Sequence, residues 1–220
     1  AAGFGNSISK RPESEYFKEV IKMTNFDYIA YWDEHYRAGG KSGAGSYGIL
    51  GEWKAEIINS FLKTHSVESV VDVGCGDGHM VSLIDYPRYL GFDVSLKSIE
   101  ICRNLFQDDP NKEFHLYETG KTVLPPCDLV VCLDVLYHIT DEKDYFAILD
   151  NIFSSSHKYI ILYTTLEGYK YQGEKPQAGM FHRDTLSHLK KYTGWKNEII
   201  KQKYPGRSGA DFIILKKEEL

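Results

Sequence analysis

Val67-Glu68-Ser69-Val70-Val71-Asp72-Val73-Gly74-Cys75-Gly76-Asp77-Gly78 is the stretch that decides the fold. A β-branched run ending in closely spaced glycines reads as a buried strand that turns sharply into a helix, with main chain bare enough for a ligand to lie against it. Downstream, Leu90-Gly91-Phe92-Asp93-Val94 is a second short apolar stretch ending in an acid, 21 residues after Asp72. At the tip of the second strand of a nucleoside-binding α/β fold, an acid at about this spacing accepts hydrogen bonds from a ribose diol. The two segments together point to a nucleoside ligand.

Glycine spacing narrows the choice. The dinucleotide fingerprint Gly-x-Gly-x-x-Gly needs its third glycine at position 79, where His79 stands. The pattern present is Asp-x-Gly-x-Gly-x-Gly with Asp93 downstream, and in this the chain resembles the class I S-adenosylmethionine-dependent methyltransferases. The resemblance implies an α/β fold, Rossmann-like, with a seven-stranded, mostly parallel sheet, an antiparallel last strand and helices on both faces. It also implies S-adenosyl-L-methionine as cofactor, released as S-adenosyl-L-homocysteine. By the same resemblance Asp72, Gly74, Cys75 and Gly76 hold the methionine and ribose part, with Asp93 and its neighbour Val94 at the second strand end.

Short β-rich runs alternate with helical segments along the rest of the chain, as in a parallel sheet. Strands are expected near Val67 to Val73, Tyr89 to Val94, Glu113 to Glu118, Asp128 to Asp134 and Tyr159 to Thr164, with helices near Leu96 to Phe106 and Asp141 to Phe153. Asp141 suits an N-cap, with Asp144 in the first turn where negative charge favours the helix dipole. Tyr145, Phe146, Leu149, Ile152 and Phe153 recur at helical spacing and are expected to face the sheet. Trp195 to Tyr204 and Asp211 to Lys217 read as an antiparallel hairpin joined by Pro205-Gly206-Arg207-Ser208-Gly209. The chain is read as a single domain, with residues 1–62 as a helical extension and 63–220 as the Rossmann-like core.

Composition sets bounds on function. With 220 residues, 42% of them hydrophobic, the chain can bury a sizeable core. A formal charge of −5, from 26 basic and 31 acidic residues, argues against a protein that coats a phosphate backbone. Lys190, Lys191, Lys196, Lys201, Lys203 and Arg207 gather near the C-terminus but read as a solvated sheet face. Cys75, Cys102, Cys127 and Cys132 form no Cys-x-x-Cys pair, which suggests neither a disulfide framework nor a zinc site and fits a reducing cytoplasm. No apolar run is long enough for a membrane span, and no secretion signal is visible. His182 and His188 stand six apart, unsuited to one helix face, so no metal is expected.

The N-terminal extension is more individual. The first ten residues read as an unstructured tail, Glu13 to Met23 as an amphipathic helix, and Phe26 to Tyr36 is dense in aromatics. Residues 39–48 then hold five glycines, followed by a helix with Trp53, Ile57 and Phe61 on one stripe. Two readings stand: a loop that closes over cofactor or acceptor with Tyr31 and Tyr47 as lid aromatics, or a flexible connector. Gly39-Gly40-Lys41-Ser42 lacks the spacing of a phosphate loop.

Open α/β sheets bind ligands beyond the carboxyl ends of their strands. After the third strand Glu118 is a candidate, which the resemblance places at the adenine amine. After the fourth, Asp134-Val135-Leu136-Tyr137-His138 is similar to family members acting on small molecules; the resemblance puts Leu133 and Asp134 beside the cofactor and Tyr137 and His138 towards the acceptor. Methyl transfer from a sulfonium is a displacement with a neutral leaving group, so a general acid is not needed. A weakly acidic hydroxyl acceptor does need a base, and His138, titrating near neutrality, is that candidate. The stretch Thr164 to His182, with Tyr169, Tyr171, Gln172, Lys175 and Gln177, reads as a binding loop. His182 is the rival base and Arg183 could hold a phosphate or carboxylate on the substrate; for both the alternative is capping or salt-bridging at the helix that begins near Asp184.

These readings converge on methyl transfer to an oxygen, or else a nitrogen, of a polar small molecule. A looser resemblance of Tyr31-Trp32 and Gly43-Ala44-Gly45-Ser46-Tyr47-Gly48 to methyltransferases of glycan pathways leads to a sugar acceptor. Two rivals are an RNA or protein methyltransferase and a catalytically silent nucleoside-binding module. The Asn/Asp-Pro-Pro-Tyr motif of many nucleic-acid amino-methylating enzymes is missing after the fourth strand, which counts against base amino groups as acceptors, and a nucleic acid partner is not expected.

Overall fold

The computed structural model of the chain describes residues 26–167, 179–204 and 206–218. The helix expected over Glu13 to Met23, the side chains Tyr169, Tyr171, Gln172, Lys175 and Gln177, and Pro205 lie outside the described residues. Seven strands form one sheet: β1 (Ser69–Val73), β2 (Arg88–Asp93), β3 (Lys112–Leu116), β4 (Cys127–Leu133), β5 (Ser156–Thr164), β6 (Trp195–Ile200) and β7 (Asp211–Lys217). Their order is β3-β2-β1-β4-β5-β7-β6. Neighbours from β3 through β5 pair in parallel, whereas β7 is antiparallel to both β5 and β6. The last strand is thus inserted between the two before it.

Burial follows from that order. The inner strands β1, β4 and β5 are near-continuously buried, as parallel strands covered on both faces must be. Side chains alternate between faces along each strand. Val71, Val130, Cys132, Ile160 and Leu162 pack on one face, with Tyr28 of α1 (Tyr28–Arg37), Tyr145, Ile148, Leu149 and Ile152 of α5 (Glu142–Ser155) and Leu189 of α6 (Thr185–Leu189). Val70, Leu129, Val131, Ile161 and Tyr163 pack on the other. There they meet Trp53, Ile58 and Phe61 of α2 (Gly48–Thr64), Val81 of α3 (His79–Ser82) and Ile99 of α4 (Leu96–Leu105).

Local chemistry sets the helix starts. Asp27, Ser95 and Asp141 each accept a backbone N–H of the first turn of α1, α4 and α5. Gly78, at φ 80°, opens the short α3, a left-handed backbone that favours glycine. Phe146 is only partly buried, and Ile148 takes a core position beside Leu149.

One connection differs from expectation. β6 ends at Ile200 rather than Tyr204, because the Gln202 N–H turns to Asp211 Oδ1 at 2.7 Å and the Tyr204 N–H to the Gln202 side chain. Residues 201–210 therefore make a longer loop, which reaches over the carboxyl end of β5 instead of closing a tight hairpin. Edge strand β6 is largely exposed, as expected for the solvated sheet face that carries Lys196.

Ile58 is fully buried against the sheet. Replacing it with alanine should cost about 2–5 kcal/mol in urea unfolding and shift one cooperative transition; an unchanged midpoint would show that α2 is not part of the folding unit.

Candidate active site

The strand order reverses between β1 and β4, and there the crevice beyond the strand ends opens into a cavity of about 910 Å³. Its wall at the ends of β1 and β2 is built from Val73, Gly74, Gly76, Asp93 and Val94. Gly74 and Gly76 stand at φ 90° and 57°, and neither has room for a side chain: a Cβ would lie 2.1 Å from Val135 Cγ2 at Gly74 and 2.3 Å from Ser42 Oγ at Gly76. The Asp93 carboxylate is buried, one oxygen accepting the Gly76 N–H at 3.0 Å and the other the Ser95 N–H at 2.9 Å. Burial pushes its pKa up to about 6, against the pull of those two amides.

Asp72 and Cys75 lie behind this loop and do not line the cavity. Alternation along β1 turns Val73 to the cavity and Asp72 away from it, and the Tyr89 hydroxyl donates to the Asp72 carboxylate at 2.7 Å. Burial lifts the Asp72 carboxyl to about 7. Glu118 is exposed and paired with Lys121, while its neighbour Tyr117 reaches the cavity.

Three aromatics from α1, Tyr28, Trp32 and Tyr36, line the opposite wall. They stand four apart, so they share one helix face; Tyr31 is rotated off it and packs outside on Phe26 and His35. The 28-32-36 spacing was the signal that separates them. Residues Ser42 to Ser46 of the glycine-rich segment also line the cavity, and their conformation is set within the protein. Asp77 Oδ2 accepts the Ser42 N–H at 2.8 Å and the Tyr47 hydroxyl at 2.6 Å, while the Asp77 N–H donates to Ser42 Oγ at 3.0 Å. Burial raises the Asp77 pKa, but the Tyr47 hydroxyl and the amides outweigh it and hold the carboxyl below its ordinary value. Tyr47 itself stacks on His79 at 4.0 Å and serves as a fastener rather than a wall.

At the end of β4, Leu133, Asp134, Val135 and Tyr137 form the floor. Asp134 has φ 60°, a left-handed backbone unusual for a residue with a side chain and a mark of a functionally constrained site. Its carboxylate accepts the Tyr137 hydroxyl at 2.6 Å and forms an ion pair with Lys54 of α2. Lys54 was not recognised from the sequence. It is 1% exposed, and its ammonium also lies 4.8 Å from the centre of the Tyr163 ring. The available signal was a lysine at a stripe position of α2, between Leu50 and Ile58. Gly45 closes the node, since a Cβ there would lie 2.8 Å from Asp134 Oδ2.

His138 and His182 both face this cavity. The Gly179 carbonyl, 3.0 Å from His138 Nδ1, accepts its proton and leaves the lone pair of the neutral ring on Nε2. Burial pushes the pKa of His138 down, and that of His182 down likewise, with the nearby His138 adding to the effect. His182 Nδ1 stands 2.7 Å from Thr165 Oγ1, and its ring lies 5.3 Å from that of Tyr137. Arg183 is a correction to the substrate-binding alternative. It is buried outside the cavity, donates to the carbonyls of Ile139 and Thr140 at 2.7 and 3.0 Å, and stacks between Tyr145 and Phe181. Among the described residues no group of three His, Cys, Asp or Glu side chains is placed to hold a metal, and no helix is long and apolar enough to cross a membrane.

Residues 49–198 match the family described as a methyltransferase domain. The chain belongs to that family. The match begins within α2, earlier than the strand that opens the motif, so the helix carrying Lys54 is part of the shared unit. This methyltransferase is 32% identical over 109 residues to the tRNA U34 carboxymethyltransferase of Aliivibrio salmonicida (strain LFI1238), which covers 46% of this chain and 33% of that protein. The chain thus spans the matching third of that curated relative. In fold it is similar to magnesium protoporphyrin IX methyltransferase from Synechocystis PCC 6803, solved with bound SAM, with a TM-score of 0.65 and 16% identity over 88% of this chain and 98% of the other. It is similar also to the N-methyltransferase NodS from Bradyrhizobium japonicum WM9, solved with S-adenosyl-l-homocysteine, with a TM-score of 0.62 and 14% identity over 92% and 98% of the two chains. The fold is that of the class I S-adenosylmethionine-dependent methyltransferases.

Lys54 and Asp134 test the floor of the site. A Lys54→Met variant leaves a carboxylate away from water without its counter-charge and should lose about 3–5 kcal/mol in urea unfolding. Adding Asp134→Asn should restore most of that loss; a double variant no better than the single one would show that the pairing is not the cause.

Proposed function

We propose that this methyltransferase moves a methyl group to an oxygen of a small polar acceptor, with a sugar hydroxyl as the first choice. S-adenosyl-L-methionine supplies the electrophilic methyl group and leaves as neutral S-adenosyl-L-homocysteine. The residues present fit that cofactor. The side-chain-free cradle of Gly74 and Gly76 lets main chain approach a ligand closely, and Asp93, with each oxygen used once, keeps lone pairs for a ribose diol. Val94, Leu133 and Asp134 complete the cofactor wall in this reading, with Tyr36 and Trp32 in the places expected of Tyr31 and Tyr47. The described part of the N-terminal extension, from Phe26 to Leu62, belongs in this reading to one domain with the core. Four free, buried cysteines agree with the cytoplasm as its compartment.

The single observation that carries the acceptor reading is His138. Burial lowers its pKa and favours the neutral ring, and its Nδ1 proton is committed to Gly179, so Nε2 would accept the proton that a hydroxyl acceptor loses on methylation. Tyr137 and Trp32 flank the imidazole at 4.7 and 5.1 Å and restrict its position. His182 is then the neighbour that orients the acceptor. A second reading, an RNA nucleoside acceptor, has one observation in its favour, the similarity to the tRNA carboxymethyltransferase. Transfer of labelled methyl groups to sugars, sugar nucleotides, RNA and peptides decides between them.

Two measurements test the assigned roles. Calorimetry with S-adenosyl-L-homocysteine should show constant affinity above about pH 6 and a fall of about tenfold per unit below it. Proton and diol compete there for the Asp93 oxygens, and only the ionised carboxylate accepts. Asp93→Asn should bind weakly with no such midpoint; wild-type affinity in that variant would remove Asp93 from the site. His138→Ala should lower kcat by about 10²–10⁴-fold with little change in cofactor affinity. The wild-type rate should rise from acid pH to a plateau whose midpoint lies below the ordinary histidine value, and a profile unaltered in the variant would assign the base elsewhere.

A further inference from the structure

The stretch Pro205-Gly206-Arg207-Ser208-Gly209 is expected from the sequence to do no more than turn the chain, yet Gly206, Arg207, Ser208, Gly209 and Ala210 line the cavity. The loop is braced rather than loose. The Tyr163 hydroxyl donates to Ser208 Oγ at 3.0 Å, the Ala210 N–H donates to the same oxygen at 3.1 Å, and the Arg207 N–H donates to the Tyr204 carbonyl at 3.1 Å. Tyr204 in turn packs edge-on against Trp53 of α2. This bracing holds the Arg207 main chain at the rim while its side chain stays exposed.

Charge at the cavity is uneven. Of its acidic lining residues, Asp93 belongs to the nucleoside side and Asp134 is matched by Lys54. The two imidazoles are held towards neutrality by burial. Nearby Lys201 is paired with Asp211. Arg207 lines the same space and, among the described residues, makes no ion pair or side-chain hydrogen bond. In the sheet β2, which carries Asp93, and β7, which follows Arg207, are separated by four strand spacings, about 19 Å. A guanidinium there serves the acceptor rather than the nucleoside.

We infer that Arg207 forms an anion subsite, so that the acceptor is a small molecule carrying a carboxylate or phosphate group in addition to the atom that is methylated. The planar fork of arginine binds either group through paired hydrogen bonds, and the acceptor's reacting atom is thereby held towards His138. The inference rests on the small-molecule reading above, and separate measurements keep the two distinct.

The subsite is read without turnover by titrating the chain, saturated with S-adenosyl-L-homocysteine, with inorganic phosphate and separately with acetate, following binding by calorimetry and NMR. The wild type should bind at least one anion, and which one distinguishes phosphate from carboxylate. Arg207→Ala should weaken that binding at least tenfold, and Arg207→Lys should lie between, since a point charge lacks the fork. Cofactor affinity should be unchanged in both variants. Labelled-methyl assays on acceptors matched in pairs, one neutral and one anionic, should show kcat/KM favouring the anionic member at least tenfold. In Arg207→Ala that preference should vanish through KM. Absence of anion binding by the wild type, or equal binding by Arg207→Ala, overturns the subsite even if small acceptors are methylated. Transfer to RNA alone overturns the small-molecule reading and the subsite with it.

Discussion

A lysine and a carboxylate with little access to water have to remain paired, and this constraint joins the two halves of the molecule. Lys54 comes from the helix before the first strand and Asp134 from the end of the fourth, 80 residues apart. Desolvating either charge alone costs several kcal/mol, so α2 cannot leave the sheet without exposing or stranding one of them. Around the pair lie Tyr137, which donates to Asp134, Gly45, which admits no side chain beside it, and Tyr163, whose ring lies next to the ammonium and whose hydroxyl braces the β6–β7 loop. The glycine-rich segment, the loop after β4 and the loop after β6 are thereby referred to one point.

The same cavity contrasts two electrostatic environments. On the nucleoside side, Asp93 is a carboxylate whose basicity burial has raised, a setting that strengthens its hydrogen bonds to hydroxyl donors. At the other end of the cavity, burial lowers the basicity of two imidazoles, His138 and His182. Family membership sets the reaction class, and a neutral ring in the cavity avoids like-charge repulsion with a cationic methyl donor.

Much of the architecture was legible because it depends on short-range rules. Apolar runs marked β1 through β5 to within a few residues, Asp141 announced the start of α5 by its capping geometry, and Asp211–Lys217 was bounded correctly. Glycine spacing with Asp93 located one wall of the cavity, where positive φ and close approach leave a pattern in the chain itself. Less of the opposite wall was legible. Tyr31 was chosen where Trp32 and Tyr36 line the wall, a rotation of one helical position, and Tyr47 was chosen where its true contact is Asp77. Sequence alone does not separate the roles open to Arg183, whose guanidinium meets the carbonyls of Ile139 and Thr140 across more than 40 residues.

The sequence by itself determined the fold class, the reaction family and the residues of the strand-end motifs, because strand periodicity, glycine conformation and helix capping act between residues close in the chain. Only the tertiary structure decided that Lys54 neutralises Asp134, that Asp77 fastens the segment from Ser42 to Tyr47, and that Arg207 reaches the cavity. Those contacts join residues between 30 and 80 positions apart, or depend on which way a loop folds over the sheet. The sheet order brings them together, and no local pattern in the chain records which charge will face which partner.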